Sequence, residues 1–155
     1  MPKVSQRPDG DGTLGAVSSP RDRVLEFDVS VDRERTARSG RGGSPFPREE
    51  EWSSEHLLLA ALVRCTLTSF DYHVRRAGLT AVGSGAAHGV VTRRETDGLY
   101  AFVTIEARYD VEIDDAPAQE LVRELLERAE RGCFVGNSLT ARPVYRWTVN
   151  GQAVG

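Results

Sequence analysis

One apolar segment near the middle of the chain constrains the fold more than any other feature. Residues 53–78 read SSEHLLLAALVRCTLTSFDYHVRRAG. Ser53 or Ser54 can cap a helix, Glu55 suits the positive end of the helix dipole, and Gly78 is a typical residue just beyond a helix C-terminus. The first half of the segment is apolar on nearly every side, which is typical of a buried helix. The segment therefore predicts a long central helix that is buried in its first half.

Sequence patterns typical of β-strands precede and follow this segment in the chain. Apolar and polar residues alternate over residues 24–31, and residues 83–113 predict two strands joined by a Thr-Asp-Gly turn, a typical hairpin signal. Residues 32–54 predict a long loop, residues 117–131 an amphipathic helix, and residues 144–149 a last strand. Because the strands cluster apart from the helices, this order predicts an α+β fold.

The length and composition are those of one globular domain. The 155 residues are 39% hydrophobic and 28% charged, and the formal net charge of −3 argues against nucleic-acid binding. The N-terminus lacks the apolar centre of a secretory signal, and the longest apolar run, residues 57–63, is too short to span a membrane. We expect a single domain over residues 23–155, preceded by an extension or short strand over residues 1–22. The expected location is the cytoplasm, with no membrane partner.

The chain has two cysteines, Cys65 in the central helix and Cys133 after a glycine at a helix end. In the cytoplasm, such cysteines are core residues, metal ligands or redox-active groups. Cys65 could simply fill the core, whereas Cys133 stands where backbone N–H groups could stabilise a thiolate. His56, His73 and His88 lack ligand spacing to either cysteine, and there is no Cys-x-x-Cys, which disfavours zinc and a Cys–His nucleophile. No metal is expected.

Two motifs resemble the signatures of one family. Residues 53–70, SSEHLLLAALVRCTLTSF, have an acid that opens a long apolar helix and a cysteine ten residues later. Residues 129–139, AERGCFVGNSL, have an Ala-acid-x-x-Cys sequence followed by Val and by Asn-Ser-Leu. Together they resemble the OsmC/Ohr family, the osmotically inducible and organic hydroperoxide resistance proteins. The order of the predicted elements matches over about residues 24–150.

The resemblance implies an OsmC-like fold, with antiparallel sheets packed around a long buried helix in an intertwined homodimer. It also implies thiol-dependent reduction of small organic hydroperoxides, and more weakly of hydrogen peroxide, with no cofactor. Cys65 would be the peroxidatic thiol, which becomes a sulfenic acid, and Cys133 the resolving thiol, which condenses with it to a disulfide. Glu55 would hold a catalytic arginine that stabilises the thiolate and the departing alkoxide. A dithiol or a lipoyl-bearing protein would restore the thiols.

The arginine is expected between the first strand and the long helix. The candidates there are Arg33, Arg35, Arg38, Arg41 and Arg48. Arg41 is favoured, with Arg38 next, because glycine-rich surroundings let a loop fold over a site. Arg64, directly before Cys65, is interpreted as a surface residue in a salt bridge, because consecutive helix residues point about 100° apart.

Helix geometry separates the acid from the thiol of the same chain. Ten residues of continuous helix advance about 15 Å, and no Gly or Pro lies between Glu55 and Cys65. An acid that serves the thiol should therefore come from a second subunit, and Ala60 and Ala61 would let two antiparallel helices approach closely. We expect a homodimer with two composite sites.

Two other interpretations stay open. A non-catalytic relative could bind a small apolar ligand, or sense redox state, through the same thiols. A structural dimer could use both cysteines as core residues, which a neutral alkylating agent would leave unlabelled in the native state.

Overall fold

The computed structural model describes residues 25–48 and 52–154. The chain divides into two compact units, Met1–Arg48 and Glu49–Gly155. The prediction for residues 1–22 lies outside the described residues, and a single domain over residues 23–155 stays a prediction.

The described part of the N-terminal unit is a small antiparallel hairpin. Strand β1 (Val29–Val31) pairs with strand β2 (Ala37–Ser39), and Phe46 bridges back to the start of β2. The Asp32 carboxylate accepts a hydrogen bond from the Thr36 N–H at 2.9 Å, which closes the turn between the strands. The strand expected over residues 24–31 is thus shorter than predicted. The loop expected over residues 32–54 was wrong where β2 forms.

The second unit begins with the predicted long helix, α1 (Ser54–Arg76). The Ser53 hydroxyl caps it by accepting from the His56 N–H at 3.4 Å. Gly78, with φ of 76°, follows its C-terminus in the left-handed conformation that glycine adopts readily. Both ends were predicted from the sequence and are confirmed.

A four-stranded sheet carries the rest of this unit, in the order β3-β4-β5-β6. Strands β3 (Ala81–Arg93) and β4 (Tyr100–Ile113) form the predicted hairpin, with Gly98 in its turn. Strand β5 (Val144–Val149) runs parallel to β4, and the unpredicted β6 (Gln152–Val154) is antiparallel to β5. The expectation of antiparallel sheets is therefore wrong for one pair. The helical connection between β4 and β5 returns the chain to the same end of the sheet, as a parallel pair requires.

That connection contains two helices, α2 (Gln119–Arg131) and the short α3 (Phe134–Ser138). The predicted apolar face of α2 packs into the core through its buried side chains, Val122, Leu125, Leu126 and Ala129. The α+β fold class is confirmed. The core lies between the sheet and the helices, and it extends to the start of α3.

Strand β3 carries glycines where α1 crosses it. A Cβ atom added at Gly85 would lie 3.0 Å from Val63 Cγ1, and one added at Gly89 would lie 3.3 Å from Leu59 Cδ2. Both contacts are tighter than ordinary side-chain packing allows. The glycines therefore let this face of α1 lie close against the strand.

The burial of α1 differs from the expectation. One row of side chains at helical spacing is buried: Leu62, Thr66, Phe70 and Val74. In the first half, by contrast, Leu57 is 40% exposed, and Ala60 and Ala61 are also exposed. Within a single chain the first half is thus only partly buried, because the sheet covers only one side of it. Among the described residues, α1 alone is long and apolar enough to cross a membrane, a test that core helices of globular proteins also meet.

Candidate functional site

Helix α1 and the segment before α3 bring the two cysteines together. Cys65 lies half-buried on α1, and Cys133 is fully buried at the N-cap of α3. Both are free thiols, and Cys133 is close enough to Cys65 to affect the pKa of its thiol. The two residues that the family resemblance pairs are therefore neighbours in this chain.

The surroundings of Cys65 favour the protonated thiol. Burial raises the pKa of Cys65 above its ordinary value, and the side chain of Cys133 acts in the same direction. The backbone N–H groups of Val135 and Phe134 lower this pKa, but only in part. Because the thiolate is the nucleophile, reaction at neutral pH calls for a cation beside Cys65.

Cys133 has a different set of neighbours. Its Sγ accepts a hydrogen bond from the Gly136 N–H at 3.3 Å, and the Thr66 hydroxyl oxygen lies 3.2 Å away, within reach to donate as well. A Cβ atom added at Gly136 would collide with the hydroxyl oxygen of Tyr145 and would lie 3.4 Å from Cys133 Sγ. The buried sulfur is thus surrounded by hydrogen-bond donors.

Aromatic rings close the site on the side of the sheet. The ring centroids of Tyr145 and Tyr109 are 6.4 Å apart, those of Tyr109 and Trp147 are 4.3 Å apart, and those of Trp147 and Phe70 are 5.5 Å apart. Trp147 Nε1 donates a hydrogen bond to Glu130 at 2.9 Å, which ties the second motif to the sheet. Burial raises the pKa of Tyr145 to about 12, and it also raises the pKa of Tyr109. Both phenols therefore stay protonated at neutral pH.

Three hydroxyl groups near Cys133, those of Thr66, Tyr109 and Tyr145, were not predicted from the sequence to be part of the site. Thr66 lies one turn after Leu62 in the buried row of α1, and Tyr109 occupies one of the alternating buried positions of β4. Tyr145 is half-buried at the second residue of β5, where it pairs with Ala107 of β4. Helical spacing and strand alternation could have placed each side chain toward the core, but neither pattern shows that the three meet at one sulfur.

Glu55 lies apart from the thiols. It is exposed in the first turn of α1, where the Ser53 hydroxyl above all lowers its pKa. Helix α1 is unbroken from Ser54 to Arg76, so Glu55 and Cys65 of one chain are separated by about 15 Å along the axis. The helix continuity on which the shared-site prediction depends is confirmed.

The two favoured arginines belong to the N-terminal unit. Arg38 forms an ion pair with Asp32 at 2.5 Å, and the Arg41 guanidinium stacks 4.9 Å from the centroid of the Phe27 ring. A role for either arginine at Cys65 stays a prediction.

Arg64 lies beside a different feature, an open groove of about 780 Å³ between α1 and β3. Leu59, Val63 and Gly85 are among the residues that line it, and neither thiol does. Arg64 is exposed and forms no ion pair with the other described residues, so the salt bridge expected for it stays a prediction. In residues 25–48 and 52–154, no cluster of three or more His, Cys, Asp or Glu side chains could hold a metal ion.

Comparison with known protein families identifies the family of this chain. The model of the OsmC-like protein family matches residues 47–148, a range that contains both cysteines. The chain belongs to the OsmC-like family. No curated protein matches it.

Solved structures share the fold at low sequence identity. An OsmC-like protein of unknown function from Vibrio cholerae is 16% identical, with a TM-score of 0.70 over 81% of this chain and 100% of that one. An organic hydroperoxide resistance protein from Elizabethkingia anophelis is 15% identical, with a TM-score of 0.60 over 82% and 96% of the two chains. An OsmC-like protein from Mycoplasma pneumoniae is 14% identical, with a TM-score of 0.60 over 83% and 97%. These similarities confirm the predicted OsmC-like fold.

Proposed function

We propose that this chain is a thiol peroxidase that reduces small organic hydroperoxides and, more weakly, hydrogen peroxide. The observation that carries the proposal is the pair of neighbouring free thiols, one half-buried and one fully buried. Membership of the OsmC-like family supports it, since several solved structures of this fold are of organic hydroperoxide resistance proteins. We place the enzyme in the cytoplasm, where two free thiols stay reduced.

In the first step the Cys65 thiolate attacks one oxygen of the hydroperoxide ROOH. The O–O bond breaks, the sulfur becomes a sulfenic acid, and the alkoxide leaves as the alcohol ROH after taking up a proton. The apolar side chains around the middle of α1 suit an organic R group better than they suit water.

In the second step Cys133 condenses with the sulfenic acid. A Cys65–Cys133 disulfide forms and the sulfenic oxygen leaves as water. A dithiol or a lipoyl-bearing protein then reduces the disulfide by two electrons and is itself oxidised to a disulfide. No cofactor takes part in this cycle.

The thiolate of the first step needs a cation, because burial raises the pKa of Cys65. We propose Arg41 first and Arg38 second for this role, with Glu55 as the acid that holds the arginine in place. Arg38 would have to leave its ion pair with Asp32, whereas Arg41 would leave only the face of an aromatic ring.

We propose that a second copy of the chain completes the site. The first half of α1 is exposed at Leu57, Ala60 and Ala61, and Val82 of β3 is 68% exposed. An apolar surface of this kind is typical of a protein-protein interface. A second copy packed there would bring its Glu55 toward the Cys65 of the first.

Steady turnover of cumene hydroperoxide with excess dithiothreitol tests the function. Wild-type protein should consume many equivalents, and Cys65→Ser should consume none while keeping its fold by circular dichroism. Glu120→Ala is the control, because this exposed acid in the first turn of α2 lies outside both the thiol site and the proposed interface. A protein that oxidises once and then stops would instead be a redox sensor, and cysteines that resist iodoacetamide in the native protein would be structural.

A further inference from the structure

The buried thiol of Cys133 lies in a cluster of hydroxyl groups that the reaction above does not use. Thr66 Oγ1 is 3.2 Å from Cys133 Sγ and 3.0 Å from the Leu62 carbonyl oxygen. The Tyr145 hydroxyl oxygen lies directly against Gly136, on the side of Cys133 Sγ, and Cys133 and Thr66 are near enough to affect its pKa. The cluster connects α1, the N-cap of α3 and β5 at one sulfur atom.

A third hydroxyl group, the phenol of Tyr109, belongs to the same cluster. The Tyr109 hydroxyl is buried, and none of the described residues meets hydrogen-bond geometry with it, although Thr66, Tyr145 and Cys133 are near enough to affect its pKa. A buried donor without an acceptor costs free energy. A negative charge formed on a neighbouring sulfur would offset that cost.

We propose that Thr66 and Tyr145 stabilise Cys133 as the leaving group when the Cys65–Cys133 disulfide is reduced, so that the external thiol attacks Cys65. This inference rests on the proposed function for the natural formation of the disulfide.

The chemistry of the step is thiol–disulfide exchange. The thiolate of the reductant attacks Cys65 Sγ, a bond forms between those two sulfurs, and the bond to Cys133 Sγ breaks with its electron pair left on Cys133. The second thiol of the reductant then displaces Cys65 and becomes part of the reductant's own disulfide. The two protons of the dithiol end on the two cysteines, so the exchange is balanced.

Burial decides which sulfur is attacked. Cys65 is partly accessible, whereas Cys133 has 0% of its surface exposed. An external thiol therefore reaches Cys65, and the charge appears on the sulfur that water cannot solvate. Such a thiolate leaves slowly unless hydrogen-bond donors replace the missing water.

The Thr66 hydroxyl can supply one of those hydrogen bonds while its oxygen stays in place. It has a single proton and two acceptors, the Leu62 carbonyl oxygen and Cys133 Sγ. When Cys133 is a thiol, its own S–H can point toward the same carbonyl, 3.9 Å away. When Cys133 becomes a thiolate, rotation of the Thr66 hydroxyl turns the proton to the sulfur. The Leu62 carbonyl keeps its bond within α1.

Reduction kinetics of a chemically formed disulfide test the inference. Diamide oxidises the full-length protein to the Cys65–Cys133 disulfide, which peptide mapping verifies, and dithiothreitol then reduces it. Tyr145→Phe and Thr66→Val should each slow the reduction about tenfold or more, because a hydrogen bond to a charged group contributes at least that factor. Thr66→Ser, which keeps the hydroxyl, and Tyr100→Phe, which removes a phenol from an exposed position, should stay within about twofold of wild type.

Two further readouts separate this role from a general structural one. Alkylation of Cys65 in the reduced variants should proceed at the wild-type rate, because the leaving-group donors do not act on it. Acid-quenched reactions with 2-mercaptoethanol should carry the mixed disulfide on Cys65. Equal reduction rates in all four variants, an adduct on Cys133, or failure of diamide to join the two cysteines would overturn the inference. Failure of hydroperoxide to oxidise a protein that passes these tests would overturn the proposed function alone.

Discussion

Subunit complementation is the sharpest consequence of the geometry of α1. Cys65→Ser removes the peroxidatic thiol, and Glu55→Ala removes the acid that would hold the arginine. Because α1 is continuous from Ser54 to Arg76, ten residues at 1.5 Å each place these positions about 15 Å apart in one chain. That separation exceeds the reach of an acid–arginine–thiol contact, so each site should draw its acid from the other subunit.

The assay mixes the two inactive variants under conditions that exchange subunits. A heterodimer then has one site with both defects and one with neither. Random exchange makes about half of the dimers heterodimeric, each with one intact site, so the mixture should recover roughly a quarter of wild-type activity if the sites are independent. Glu120→Ala, at an exposed acid in the first turn of α2, is the matched control and should be fully active alone.

Mass spectrometry of differently tagged subunits shows whether exchange has occurred. If heterodimers form and activity does not return, the acid and the thiol act within one chain, and the account of a shared site is wrong.

Three further predictions concern the thiol site. Cys133→Ser should permit one oxidation of Cys65 and then favour sulfinic acid, because no resolving thiol traps the sulfenic acid; a variant whose intact mass shows no gain of two oxygens would contradict this. In Arg41→Ala the rate of reaction with peroxide should rise about tenfold per pH unit from about pH 6 to about pH 8, because a pKa above the ordinary thiol value makes the thiolate fraction grow by that factor. The wild-type profile should be flatter, and parallel profiles would exclude Arg41. Gly136→Ala should lower the free energy of unfolding in urea by about 1–3 kcal/mol, because the added methyl group collides with the Tyr145 hydroxyl; an unchanged midpoint would be the contrary result.

Local signals were enough to predict most of the fold. The N-cap at Ser53, the glycine at position 78 and the hairpin turn before Gly98 each act over a few residues, and all three elements form as predicted. Strand β2 and the parallel pairing of β4 with β5 could not be found in this way. The pairing of β4 with β5 depends on the path of the chain through α2 and α3, and a short sequence pattern does not predict that path.

The candidate site, too, could be predicted from the sequence only in part. The two cysteines were found because each lies in a motif, and the structure brings them together. Thr66 and Tyr145 carry no motif, and they reach Cys133 only because α1, α3 and β5 converge there. The burial of α1 was overestimated because an apolar helix pattern does not tell whether its own chain or a second copy covers it.

Exposure of the reduced protein to a single equivalent of cumene hydroperoxide shows whether the two thiols form a peroxidase site. Each chain should form one equivalent of cumyl alcohol, lose both titratable thiols, and yield one peptide pair joined through Cys65 and Cys133. If alcohol does not form, or if Cys65 can still be alkylated after the peroxide is consumed, this thiol pair is not a peroxidase site.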